Sequence, residues 1–183
     1  FGLAAGLGPR WLDGAVMRAV DVLLAFPDLL LALVIITFFG QGQLNTIIAV
    51  GIASVPRYAR LVRAQALVVR GAGYVEAATT LGLGRHAVIL RHVLPNATTP
   101  VIVQGSMDFG YTILAAASLS FIGLGAKPPM IEWGLMAAAS RSQLLENPWT
   151  VLFPGVAIFV LVLAVNLVGD GLRDVLDPKK GTR

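Results

Sequence analysis

The side chains that could do chemistry are few and scattered: Asp28, Glu76, His86, His92 and Asp108 stand out. His86 and His92 are six residues apart with no acid cluster beside them, and no H-E-x-x-H sets two imidazoles on one helix face for zinc. They read as surface or interface histidines. A serine nucleophile on a strained elbow would need G-x-S-x-G, and none occurs. Nucleotide phosphates would need G-x-x-x-x-G-K-[ST]; the only lysines, Lys127, Lys179 and Lys180, lack those glycines. With no cysteine there is neither a disulfide framework nor a thiolate metal site. The residues therefore point to binding and movement rather than bond-breaking, with no catalytic group, cofactor or metal.

Composition sets the solvent. Of 183 residues, 56% are apolar and 13% charged, with mean hydropathy +0.78. A soluble domain holds about 45–50% apolar and about 25% charged residues, so this chain is built for lipid. Its pI near 10.0 does not imply nucleic acid, because the basic residues lie between apolar runs and not in one patch. The opening stub, residues 1–8, lacks the basic start and cleavage site of a signal peptide. It reads as the tail of an earlier membrane helix in an N-terminally truncated chain.

Four spans can be drawn against the roughly 20 apolar residues that a membrane helix needs. They are residues 22–39, interrupted by Pro27 and Asp28; a stretch from Leu44 to Val55, continuing as helix through Arg60 and Arg63; residues 99–122; and residues 149–168. The long stems of Arg60 and Arg63 are expected to snorkel toward the interface. Twelve of the 14 Lys and Arg fall in residues 9–21, 57–98 and 169–183, leaving only Lys127 and Arg141 on the other side. The basic flank is the cytoplasmic one. Ala115, Ala116, Ala117, Ser118 and Ser120, with Gly2 and Gly6, are small enough for close helix contact.

Asp108 and Gln104 sit inside the third span. An acid at mid-membrane costs about 2.5–3.5 kcal/mol, so it faces a cavity or a partner. Asp108 either lines a path and meets a peptide amine or a cation, or sits two turns above the cytoplasmic end, wetted from below or bonded to the neighbouring chain; position favours the second. Asp28, one turn from its interface, reads as structural. On the other side, residues 131–145 form a short helix that touches a partner or lies on the bilayer, flanked by Trp133 and Trp149 as interface anchors.

Residues 74–95 are a polar segment between spans. Tyr74, Ala77, Ala78 and Leu81 recur at i, i+3, i+4 and i+7, giving a short helix one apolar face. Gly82-Leu83-Gly84 breaks it, and Arg85 to Val93 forms a second helix stopped by Pro95. The stripe must lie on lipid or on another chain, and spacing alone leaves both open.

Glu76-Ala77-Ala78, Gly82, Ile89 and Leu94-Pro95 resemble the EAA loop of ABC-importer permeases. The likeness continues through Leu24-Ala25-Phe26-Pro27, Arg91-His92-Val93-Leu94-Pro95-Asn96, residues 118–125, Pro128-Pro129, Glu132-Trp133-Gly134 and residues 169–178. In order and spacing these are similar to the second, C-type, permease of the dipeptide/oligopeptide/nickel branch. Ala116 stands where several relatives carry an acid.

That resemblance implies an all-α type I ABC-importer transmembrane domain over residues 1–183, in the bacterial inner membrane. It implies a second permease subunit, two ABC ATPase subunits beneath, an extracytoplasmic solute-binding protein, and surrounding membrane lipid. Tyr74, Glu76, Ala77, Ala78, Leu81, Gly82, Ile89, Leu94 and Pro95 would couple to the ATPase, with Gln104 and Asp108 on the path of a peptide, nickel or other small solute. The rival class is a proton-coupled carrier using Asp28 and Asp108; such carriers often show inverted repeats, and none is found in this sequence.

Overall fold

The computed structural model describes residues 1–176, all of whose regular elements are helical. Lys179, Lys180, Arg183 and the Asp177-Pro178 end of the last motif lie outside the described residues. The helices are α1 (Gly2–Leu7), α2 (Arg10–Leu24), α3 (Asp28–Phe39), α4 (Gln43–Arg70), α5 (Gly73–Thr80), α6 (Arg85–Val88), α7 (Leu94–Ile122), α8 (Trp133–Ala139) and α9 (Trp149–Leu176). A π turn (Ile89–Val93) joins α6 to α7, and a 3₁₀ turn (Arg141–Gln143) follows α8.

The span expected over 22–39 is not one helix. Leu24 ends α2, and Pro27 is the extended N-cap of α3 at φ −57°, ψ 135°. Proline has no N–H to give and disfavours the helical region for the residue before it. The span from Leu44 does run on through Pro56, Arg60 and Arg63, as α4; its 28 residues extend about 42 Å. The third and fourth spans grow at one end, α7 beginning at Leu94 and α9 continuing to Leu176. Among the described residues α9 is the one helix that is by itself both long and apolar enough to cross a membrane; α2 and α3 qualify only as a joined pair. α4 and α7 fall short on apolarity, not length, because both carry polar residues inside the helix.

The chain forms two compact units. The first, residues 1–25 and 55–105, packs α1 tightly on α4. A Cβ on Gly2 would come 2.4 Å from the Ala59 carbonyl oxygen, and one on Gly6 would sit 3.0 Å from the Ala66 methyl. Arg63 and Arg60 do not merely snorkel: they pair with α2. The Arg63 guanidinium donates to both oxygens of Asp13 at 2.5 and 2.7 Å, and Arg60 reaches Asp21 at 2.6 Å.

The second unit, residues 26–54 and 106 onward, has a core of Ala32, Ile36, Ala49, Val50, Ala53, Ala115 and Leu119. Small residues bring backbones close here as the sequence leads one to expect, with Ala115, Ala117 and Ser120 buried. Gly110 lies against the Asn166 amide, and Gly134 of α8 against the Ala117 carbonyl of α7. α8 and its 3₁₀ turn are shorter than the helix expected over 131–145; Glu132 supplies the N-cap, so the helix cannot begin earlier.

A methyl added at Gly134 would meet the Ala117 carbonyl oxygen at 2.3 Å, whereas one at Gly155 has nothing within 4 Å. Gly134→Ala is expected to lose about 1–3 kcal/mol through overpacking. Gly155→Ala should be neutral or slightly stabilising, since alanine is the better helix former. Thermal unfolding of both variants in detergent checks the contrast.

Candidate functional site

The segment between α4 and α7 is built as a braced elbow. Ala72 is the extended N-cap of α5, Glu76 lies in its first turn, and the Thr79 and Thr80 hydroxyls donate back to carbonyls one turn earlier. α5 closes with Leu83 N–H bonding the Ala78 carbonyl at 3.1 Å and Gly82 N–H bonding that of Thr79 at 3.0 Å. This paired 6→1 and 5→2 pattern is the Schellman cap, and it needs a left-handed residue. Gly82 supplies it at φ +85°.

Beneath the elbow, Val69 of α4, Val75 of α5, Val88 of α6 and Val93 of the π turn form one buried cluster, joined by Leu7, Ala72 and Leu83. Fully burying such a side chain is worth about 1.5–3 kcal/mol. Val88 and Val93 are five residues apart, a spacing that the i→i+5 bonding of a π turn brings toward one face. The same turn explains why Pro95 does not stop the second helix as expected. Proline tolerates the first turn of a helix, where its missing N–H is not needed, and α7 simply starts at Leu94 with Pro95 next.

The apolar stripe read from the spacing is split. Ala78 turns inward and is 7% exposed, beside Val75 at 4%; Tyr74 and Leu81 are 48% and 81% exposed, and Ala77 is exposed with them. α5 thus has two faces, one held by this chain and one presenting Tyr74, Ala77 and Leu81 outward. The Tyr74 ring stands 6.4 Å from that of His92. Ile89 and Leu94 are half-buried and Pro95 exposed. Glu76 is exposed at the rim of a groove of about 770 Å³ whose walls include Arg70, Arg85 and Ile89. Arg85 also donates to the Leu7 carbonyl, tying the elbow to α1.

Gln104 and Asp108 are half-buried, one turn apart on α7; the Asp108 carbonyl accepts the Thr112 hydroxyl at 3.0 Å. Asp28 lies in the first turn of α3, where a carboxylate suits the positive end of the helix dipole. Among the described residues no group of three His, Cys, Asp or Glu could hold a metal ion.

Sequence reasoning did not find the valine cluster or the Asp13–Arg63 pair. Val75 and Ala78 are three apart, which is a signal for an inward face, but Tyr74 and Leu81 outweigh it in bulk. The acid–arginine partners are 50 residues apart and leave no local pattern.

Over residues 1–182 the chain matches the family described as the binding-protein-dependent transport system inner membrane component. The chain belongs to that family. It is 48% identical, over 97% of its length, to the glutathione transport system permease protein of Pectobacterium atrosepticum. It is 47% identical over 97% to the dipeptide transport system permease protein of Alkalihalophilus pseudofirmus, and 47% over 92% to the glutathione transport system permease protein of an Escherichia coli O6:K15:H31 strain. The chain covers 59%, 59% and 56% of these relatives, so it spans less than two thirds of their length. The resemblance drawn from the EAA-like loop and the later motifs is thereby borne out. The fold is that of an all-α ABC-importer permease domain of the bacterial inner membrane.

Asp13 and Arg63 lie between the apolar stretches, before Val22 and past Val55. The hydrogen bond from Arg63 holds the Asp13 carboxyl below its ordinary value of 3.8; partial burial opposes this and the Arg63 charge adds to it. A lowered folded value means the pair stabilises fully above that ordinary value and loses its effect as pH falls through the depressed one. Asp13→Asn should melt below wild type at neutral pH, and the gap should close on acidification below 3.8. Melting curves across that range test it.

Proposed function

We propose that this chain is a permease subunit of a binding-protein-dependent ABC importer, with residues 1–183 acting as one permease domain. It moves solute by ATP-driven alternating access and hydrolyses nothing itself. A second permease, two ABC ATPases and an extracytoplasmic solute-binding protein complete the machine. The solutes are small peptides, in keeping with the dipeptide and glutathione systems named for its relatives. The elbow and the C-terminus face the cytoplasm, as the distribution of basic residues suggests.

One observation carries this reading: α5 offers Tyr74, Ala77 and Leu81 outward, while Val75, with Ala78 buried beside it, fastens its other face to Val69 of α4 and to Val93 in the π turn that leads into α7. An exposed apolar face on a braced short helix is a handle. An ATPase gripping it moves α5, and the valine cluster passes the movement to the two long helices. Driving a two-state gate from 1:99 to 99:1 takes about 5.5 kcal/mol of bias, so a loose loop would not serve. A few buried anchors carry most of an interface's energy, and Tyr74 and Leu81 are suited to that role. Glu76, Gly82, Ile89, Leu94 and Pro95 shape and orient the handle. Gln104 and Asp108, half-buried on α7, offer polar groups to a passing solute.

Gly82→Leu tests the coupling. A side chain at φ +85° costs about 1–2 kcal/mol in backbone strain, but it meets nothing within 4 Å, so the membrane helices should still assemble. Uptake and ATPase rate in proteoliposomes are expected to separate, with ATP hydrolysis continuing and uptake falling. Normal solute-stimulated uptake would remove the elbow from the mechanism.

A further inference from the structure

Two of the four charged side chains in the loop between α7 and α9, Glu132 and Arg141, are held by the chain itself, while Lys127 and Glu146 are exposed. The Glu132 carboxylate accepts from the backbone N–H groups of Gly134 and Leu135 at 2.9 and 2.8 Å, capping α8. The Arg141 guanidinium lies 4.2 Å over the Phe121 ring and donates to the Phe121 carbonyl. Among its polar exposed residues the loop also presents large apolar side chains: Ile131 is 91% and Leu145 96% exposed, with Leu144 beside it. Single exposed apolar residues are ordinary, but a contiguous apolar patch marks a surface that something covers.

Leu144 shows what that cover is. With Val151, Leu152, Val156 and Phe159 it lines a shallow groove of about 320 Å³ along the outer surface of α9. α9 is long and apolar enough to cross a membrane, and only 6% of its apolar stretch is buried by this chain. The loop's apolar tip therefore continues the lipid-facing side of α9. Trp149, at the start of α9, is 61% exposed and packs near Phe153, a position typical of the headgroup boundary. A protein partner would ordinarily find about one hydrogen bond per 100–200 Å², and the groove's side chains offer none.

We infer that the 3₁₀ turn and Leu144–Leu145 form an interfacial anchor, lying in the headgroup–acyl boundary of the leaflet opposite the basic flank, with acyl chains in the groove beside α9. Arg141, locked on Phe121, ties this anchor to the end of α7. The inference does not depend on the coupling role of α5.

Spin labels on the full-length permease, assembled with its partners in proteoliposomes, test it. Leu145→Cys carries the label, with Phe159→Cys as the lipid reference and Lys127→Cys as the aqueous one; all three residues are exposed, so the fold should tolerate them. At position 145 collisions with oxygen should exceed those with a water-soluble nickel chelate, as at 159. Chelate collisions as frequent as at 127 would put the turn in water and overturn the anchor. Protection from both reagents would make it a protein contact and overturn it equally.

Discussion

Four valines from four successive elements hold the functional end of this molecule together. Val69, Val75, Val88 and Val93 meet beneath α5, so a helix of only 8 residues is not left to its own stability. Isolated helices of that length are marginal in water, and tertiary packing must supply what propensity does not. Everything proposed for the elbow follows from this constraint. If α5 is fixed to α4 and to the root of α7, a pull on its outer face is a pull on both.

Two backbone devices make the cluster possible. Gly82, at φ +85°, turns the chain sharply enough for α6 to fold back under α5, and its cap satisfies carbonyls that would otherwise be left open. The π turn at Ile89–Val93 then brings Val93 inward and feeds directly into α7, with Pro95 in the first turn where it does no harm. The elbow therefore runs into the long helix with no loop between them, from Arg85 to Ile122. Separately, Asp13–Arg63 and Arg60–Asp21 link α2 to α4, so that the root of the elbow is gripped from a second side.

Local signals in the sequence carried far. The break at Gly82, the short helix before it, the run of α4 past Pro56 and the starts of α4 and α9 are all legible from periodicity, capping residues and charge. The family was legible too, since its motifs recur in order along nearly the whole chain. What spacing misjudged was direction: Tyr74, Ala77, Ala78 and Leu81 look like one stripe, yet Ala78 goes inward with Val75. Helical periodicity assigns a face without saying which neighbour covers it, and the neighbours here, Val69 and Val93, come from other elements. Pro95 was misread because a stop signal and a first-turn residue are the same amino acid. Pro27 was underweighted because an apolar run on both sides hides a break in the helix. The ion pairs were invisible because nothing local marks two partners 39 or 50 residues apart.

The central claim is that the outward face of α5 is a protein contact and not a lipid one. Leu81, 81% exposed at the end of α5, is the place to ask, whereas Ala78 is turned away. A photo-activated crosslinker at position 81 of the assembled transporter, followed by mass spectrometry of the adducts, answers directly. Adducts to a nucleotide-hydrolysing subunit are the predicted result. Adducts to phospholipid alone, with no other polypeptide captured, would contradict the account.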